Sequence, residues 1–195
     1  MMWAVIAKAV GLFAVTNIDD IIVLSLFFAR GAKRPGTTRN ITLGQYLGFG
    51  AILATALLTA WGAGALLPQS TIPYFGLIPL LLGIKAAWEA FSGDDDDLDA
   101  GKKVSVFTVA GVTFANGGDN IGVYVPVFLT VEPLDIALFC AVFLILVGVL
   151  VWLSKLVATR PGINEWLERS EHILFPLVLI ILGIVILVKG HAFGL

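Results

Sequence analysis

Thr16-Asn17-Ile18-Asp19-Asp20 and Asn116-Gly117-Gly118-Asp119-Asn120 are short polar inserts, each inside a long apolar run. Displacing the chain by 100 positions lays Thr16, Asp19, Asp20, Ile21 and Val23 on Asn116, Asp119, Asn120, Ile121 and Val123. One polar element is therefore used twice. In each copy the polar residues recur at helical spacing, which gathers them on one face.

The surroundings are those of an integral membrane protein. Of 195 residues, 58% are hydrophobic and 13% charged, and the mean hydropathy of +0.97 is far above that of a soluble domain of this length. Six apolar stretches, near residues 3–29, 41–67, 73–92, 104–130, 135–157 and 172–190, approach or exceed the roughly 20 residues of helix that cross a bilayer. The breaks fit their composition: 30–40 is basic and polar, 68–73 is bounded by prolines, 92–103 is acidic, and Glu132-Pro133 and Arg160-Pro161-Gly162 mark the other two. Lys8 interrupts the apolar start, so the first residues are read as part of the mature chain.

Charge reports topology here. Arg30, Lys33, Arg34, Arg39, Lys85, Lys102, Lys103, Lys155, Arg160 and Arg169 belong to the first, third and fifth connections or the helix ends beside them, while the second and fourth connections carry none. Those three loops are expected to be cytoplasmic and both termini outside. Trp3, Trp61, Tyr74, Trp88, Trp152 and Trp166 fall near expected helix ends, where amphipathic rings favour the interface. A net charge of -2 gives no basic surface for nucleic acid.

The repeat extends beyond the polar inserts. Leu80-Leu81-Leu82-Gly83-Ile84 matches Ile180-Ile181-Leu182-Gly183-Ile184, and Gly48 matches Gly148, at the same displacement of 100. Each half holds three spans, an odd number, so the second half enters from the opposite side. The expected fold is an all-α membrane protein of six transmembrane helices in two inverted repeats, 1–93 and 104–195, joined by an acidic cytoplasmic loop at 94–103. Inverted repeats belong mainly to transporters, whose half-sites meet near the midplane. In the second span Gly44, Gly48, Ala51 and Thr55 form a small-residue stripe suited to close helix approach.

Asp19 and Asp20 lie about halfway along the first span, where an ionised carboxylate costs about 2.5–3.5 kcal/mol on insertion scales. Asp119 adds a third carboxylate, and Asn17, Asn116 and Asn120 add amide oxygens. Gly117-Gly118 is expected to loosen the fourth helix and free backbone carbonyls. Helix capping and kinking is the plain alternative, most apt for Thr16, Asn17 and Asn116. No lysine or arginine sits at the centre of any span, so the carboxylates need a cation or a proton. An oxygen cage for a divalent cation follows. Three carboxylates exceed the charge of one such cation, and proton-for-metal exchange is the expected coupling.

Thr16-Asn17-Ile18-Asp19-Asp20-Ile21, Phe114-Ala115-Asn116-Gly117-Gly118-Asp119-Asn120-Ile121 and Pro79-Leu80-Leu81-Leu82-Gly83-Ile84-Lys85 resemble the bacterial cadmium-resistance transporter (CadD-like) family, grouped with the lysine exporters. The resemblance covers essentially the whole chain. It implies export of a divalent metal, typically cadmium, across the cytoplasmic (inner) membrane. It also implies Asn17, Asp19, Asp20, Asn116, Asp119 and Asn120 as ligands.

Oxygen ligands suit magnesium, calcium or manganese better than soft cadmium, although an exporter must also release its cargo. Cys140, the one thiol, falls early in the fifth span and reads as a small buried hydrophobe. With one cysteine and two histidines there is no zinc cage, and no resident cofactor is expected: the cation is cargo. Asp94 to Asp97 with Asp99 read as a solvated linker, with a metal antenna as the alternative. Lys85 and Glu89 read as a helix-end pair, and His172 and His191 as interfacial.

Two other functions compete. A carboxylate-lined site also suits the ammonium group of lysine, though no buried cation is evident for the substrate carboxylate. A membrane enzyme would need paired histidines, a cysteine motif or a nucleophile with its base, none of which is evident. No nucleotide-binding loop is present. The expected partners are the metal ion and the lipid bilayer, with a homodimer as the alternative to a monomer.

Overall fold

Lipid offers the backbone no hydrogen-bond partner, so apolar segments satisfy their own amides by forming helices. The computed structural model describes residues 2–32, 34–63, 73–74, 76–92, 104–189 and 191–192, and among these every regular element is helical. The helices are α1 (Met2–Asn17), α2 (Asp20–Arg30), α3 (Thr37–Leu58), α4 (Leu77–Ser92), α5 (Val106–Asn116), α6 (Gly118–Thr130), α7 (Pro133–Ala158) and α8 (Ile163–Lys189). A wider π-helical turn over Thr59–Ala63 extends α3. It begins where Thr55 and Thr59 each bond back to the carbonyl four residues earlier, at 2.8 Å.

Thr37–Trp61 and α7 are each long and apolar enough to cross a bilayer, and α1 with α2 passes as one span bent by 59°. Leu77–Trp88, Val106–Asn116, Asn120–Thr130 and Ile173–Val188 are shorter apolar helices. The expected six long runs are therefore seen only in part. The first and fourth are interrupted at the polar inserts, and α8 begins at Ile163, well before the expected 172, because its first turns are too polar to read as a span. The acidic run from Asp94 to Asp99 lies outside the described residues, as do the side chains of Glu89, Trp166, Arg169 and His172.

Helix directions follow from contacts. Asn40 Nδ2 donates to Val104 O at 2.9 Å, so α3 and α5 start at the same end. They stay together because a Cβ at Gly44 would strike Val106 O and Val109, and one at Gly48 would strike Ala110 O and Thr113. Ala51 of the same stripe is exposed, so close approach ends near Gly48; the buried face is Ile41, Gln45, Gly48 and Ile52. Alongside α7, α1 and α2 run in its direction: the Phe13 and Phe143 rings lie 5.7 Å apart, and Ser25 Oγ donates to Ser154 O at 3.1 Å.

Antiparallel packing joins α4 to α8. A Cβ at Gly83 would lie 2.8 Å from Ile180 N, and one at Gly183 would lie 2.6 Å from Leu80 N. The two glycines thus trade equivalent contacts, each pair related by 100 positions. In lipid, where burial of apolar surface drives little, such close approach is what holds helices together.

Where α1, α3, α6 and α7 meet, Phe13, Phe49, Tyr124, Phe128, Phe139 and Phe143 form one aromatic cluster with neighbouring ring centroids 4.9–6.4 Å apart. Such pairs contribute about 0.5–1.5 kcal/mol each beyond the area they bury. Trp3, Trp61, Trp88 and Trp152 are all exposed. His191 is exposed beyond the end of α8.

Candidate metal site

Both polar inserts break a helix: α1 ends at Asn17 and α5 at Asn116, within one residue of each other when the chain is displaced by 100. At the first break Thr16 Oγ1 donates to Leu12 O and Asn17 Nδ2 to Phe13 O, both at 2.9 Å. These bonds return to carbonyls four residues back, a pattern that bends helices. The helix restarts with Ile21 N on Ile18 O at 3.3 Å and Ile22 N on Asp19 O at 3.0 Å.

Only the second break was expected from glycine, and there the role of glycine is spatial. Gly117 has an ordinary φ of -81°. What its missing side chain allows is close approach of α3, since a Cβ there would collide with Ile52 Cδ1.

The breaks bring two polar clusters together. In one, Asn116 Nδ2 donates to Asp20 Oδ1 at 2.6 Å and to Asp19 Oδ2 at 3.1 Å, so a single amide spans both carboxylates. Gln45 Nε2 donates to Asp20 Oδ2 at 3.0 Å, and Thr113 Oγ1 donates to Gln45 Oε1 at 2.6 Å. Asp20 is buried, and the groups bonded to its carboxylate are neutral amides. In the other cluster Asn120 Nδ2 donates to Asn17 Oδ1 at 3.1 Å. Asn17 Nδ2 also contacts Tyr124 OH at 3.1 Å and Thr16 Oγ1 at 2.7 Å, and those two oxygens lie 2.9 Å apart.

A cavity of about 380 Å³ opens beside both clusters. Thr16, Asp19, Asn116 and Asn120 form its polar wall, and Val123, Leu182, Val185 and Ile186 belong to the apolar one. Asp19 is exposed into this space. Among the described residues no three histidine, cysteine, aspartate or glutamate side chains cluster as a metal site. The oxygens gathered here are instead two carboxylates and several amides. The Asp119 side chain lies outside the described residues, although its backbone opens α6 beside Gly118.

The sequence pattern of the cadmium resistance transporter family matches residues 13–194. The chain belongs to the cadmium resistance transporter family. Comparison with curated proteins finds no match, and comparison with solved structures finds none. Family membership and the apolar helices together make this chain a multi-pass membrane protein of a transporter family.

Of the residues singled out in the sequence of this cadmium resistance transporter family member, Asp19, Asp20 and Asn116 are joined in one cluster and Asn17 and Asn120 in the other. Gln45, Thr113 and Tyr124 were missed. Tyr124 stands four residues after Asn120 and eight after Asn116, a helical spacing that points to a shared face. Gln45 carries no such local signal beyond being an amide in an apolar run. Cys140 is half-buried against the aromatic core and lines neither cluster nor cavity.

Proposed function

We propose that this chain exports a divalent metal cation, cadmium or a related ion, from the cytoplasm across the bacterial inner membrane in exchange for protons. Asp19, Asp20, Asn116, Asn120 and Asp119 are the proposed ligands, and Asn17, bonded to Asn120, completes the paired polar set. One observation carries the reading: the two carboxylates of the first half converge on an amide of the second half, beside a cavity, with neutral groups as their bonded partners. A buried carboxylate without a cationic neighbour calls for a bound cation or a proton. Exchange of one for the other is the simplest cycle.

Six crossings as two inverted repeats supply the alternating access. Support comes from the parallel course of α3 with α5 and of α1–α2 with α7, the antiparallel α4–α8 pair, and the reciprocal contacts of Gly83 and Gly183. With the basic loops cytoplasmic, both termini lie outside.

Proton release on cation binding tests the exchange. Cd²⁺ added to the purified chain in weakly buffered detergent solution should acidify it, and Asp19→Asn with Asp20→Asn should abolish the release. Binding without proton release at any pH near neutral would remove the antiport.

A further inference from the structure

We infer that Asn17 serves the cation site as a positioning residue: held by the Phe13 carbonyl together with Thr16 and Tyr124, it turns the side-chain carbonyl oxygen of Asn120 toward the cavity. This rests on the cation-site reading above and adds to it which atom Asn120 offers and what aims it.

The inference starts from a group that can only accept. Phe13 O is a backbone carbonyl, and the Asn17 amide group 2.9 Å from it must therefore be the NH2. Rotating that amide by half a turn would set two oxygens against each other. Asn17 is almost fully buried, at 1% exposure, so water cannot relieve such a clash. The Asn17 NH2 also meets Thr16 Oγ1 and Tyr124 OH, both of which can accept. Thr16 already donates its one hydroxyl proton to Leu12 O. Tyr124 must then donate to Thr16 Oγ1, and the protons of Thr16, Tyr124 and the Asn17 NH2 each have an acceptor.

Asn17 Oδ1 is thereby fixed toward Asn120, 3.1 Å away, and only an NH2 can answer it. One N–H of the Asn120 amide is spent in that bond, so its NH2 faces Asn17 and the Asn120 carbonyl oxygen is on the other side of the amide. Asn120 lines the cavity with Asp19 and Asn116, and it is 5% exposed. Among the described residues nothing donates to its oxygen. A buried amide oxygen without a donor is costly unless something positive comes to meet it. A hard or borderline divalent cation seated between that oxygen and Asp19 supplies this partner. Asn17 has spent its own amide on Phe13 and Asn120, and it acts through Asn120 rather than on the cation.

Cd²⁺ titrated alone into the purified full chain in detergent, followed by calorimetry, tests this as a double-mutant cycle. Removing an outer group that orients a ligand typically weakens metal binding by about 10- to 100-fold. Asn120→Leu and Asn17→Leu should each weaken Cd²⁺ binding to that extent, and the double variant should be no weaker than Asn120→Leu alone. A merely structural role would not produce this coupling in affinity. If the two losses multiply, Asn17 is a ligand in its own right and the positioning role is overturned. An unchanged affinity in either single variant also overturns it while leaving the site at Asp19 and Asp20 standing. Failure of the wild type to bind either Cd²⁺ or Mn²⁺, titrated in the same way, removes the cation site and this inference together. Should Asn17→Leu not fold, Tyr124→Phe keeps the aromatic packing and removes only the hydroxyl. It should weaken binding in the wild-type chain and leave the Asn120→Leu variant unchanged; any other pattern contradicts the positioning role.

Discussion

Asn116 Nδ2 lies 2.6 Å from Asp20 Oδ1, a bond that ties the end of α5 to the start of α2 across 96 positions of sequence. It joins the two polar inserts, each at a break between helices. Both oxygens of Asp20 are occupied by amide donors, the second by Gln45 at 3.0 Å. The carboxylate is therefore matched to two donors, and no neutral isostere offers the same pair of acceptors.

Asp20→Asn replaces one acceptor by a donor and sets an NH2 against either Asn116 or Gln45. Leaving a buried donor unpaired costs about 1–3 kcal/mol, so thermal unfolding in detergent should occur at lower temperature. Adding Gln45→Glu restores the pairing and should recover most of that stability. Transport into vesicles should be lost in the single variant and stay lost in the double, because the charge has left the site. Recovery of transport in the double variant would mean that the position of the charge is immaterial.

Gly117→Ala should destabilise the chain by about 1–3 kcal/mol, the usual cost of forcing extra atoms into a packed interior. The nearest obstacle is Ile52 Cδ1, the one atom that Ile52→Val removes. Combining the two substitutions should return part of the loss, read as the melting temperature in detergent. No recovery would show that the glycine is needed for backbone freedom instead.

The polar inserts were legible because carboxylates and amides stand out in an apolar run, and because the second copy repeats the first. Gly83 and Gly183 stand out as matching positions in the sequence, but their contact across α4 and α8 was not legible from it; close packing there demands a small residue on each side. Gln45 was not legible, and Tyr124 only through its helical spacing from Asn120. Each is a single polar residue whose meaning comes from a partner far along the chain: Asp20 and Thr113 for one, Thr16 and Asn17 for the other. The break after Asn17 was legible only as the kinking alternative for Thr16 and Asn17; their bonds to their own helix agree with that alternative, without any glycine or proline as a marker. The early start of α8 was missed because hydropathy locates lipid-facing turns and passes over polar helical ones.

Gly83→Ala and Gly183→Ala should each push α4 from α8, since the atoms they meet include backbone nitrogens that cannot yield. Each is expected to cost about 1–3 kcal/mol. Once one substitution has parted the helices, the other meets less resistance. The double variant should lose less than the sum of the two, as neighbours on one seam do. Additive losses in thermal unfolding would place the two glycines in separate contacts.

Glu132 and Arg160 stand at opposite ends of α7, and both are exposed. In a Cys140→Ser background, Glu132→Cys should react with a membrane-impermeant maleimide added to intact cells, and Arg160→Cys only after the membrane is opened. The reverse pattern would invert the orientation drawn from the basic loops. Labelling of both from outside would remove α7 as a crossing.

Transport in proteoliposomes under an imposed pH gradient tests the central claim most directly. Cadmium, zinc, manganese, magnesium and calcium are supplied in turn to the wild type and to Asp19→Asn with Asp119→Asn. At least one divalent cation should move with the wild type, driven by the gradient, and its movement should collapse in the double variant. No metal movement, or equal movement by the variant, would contradict a cation site at the paired breaks.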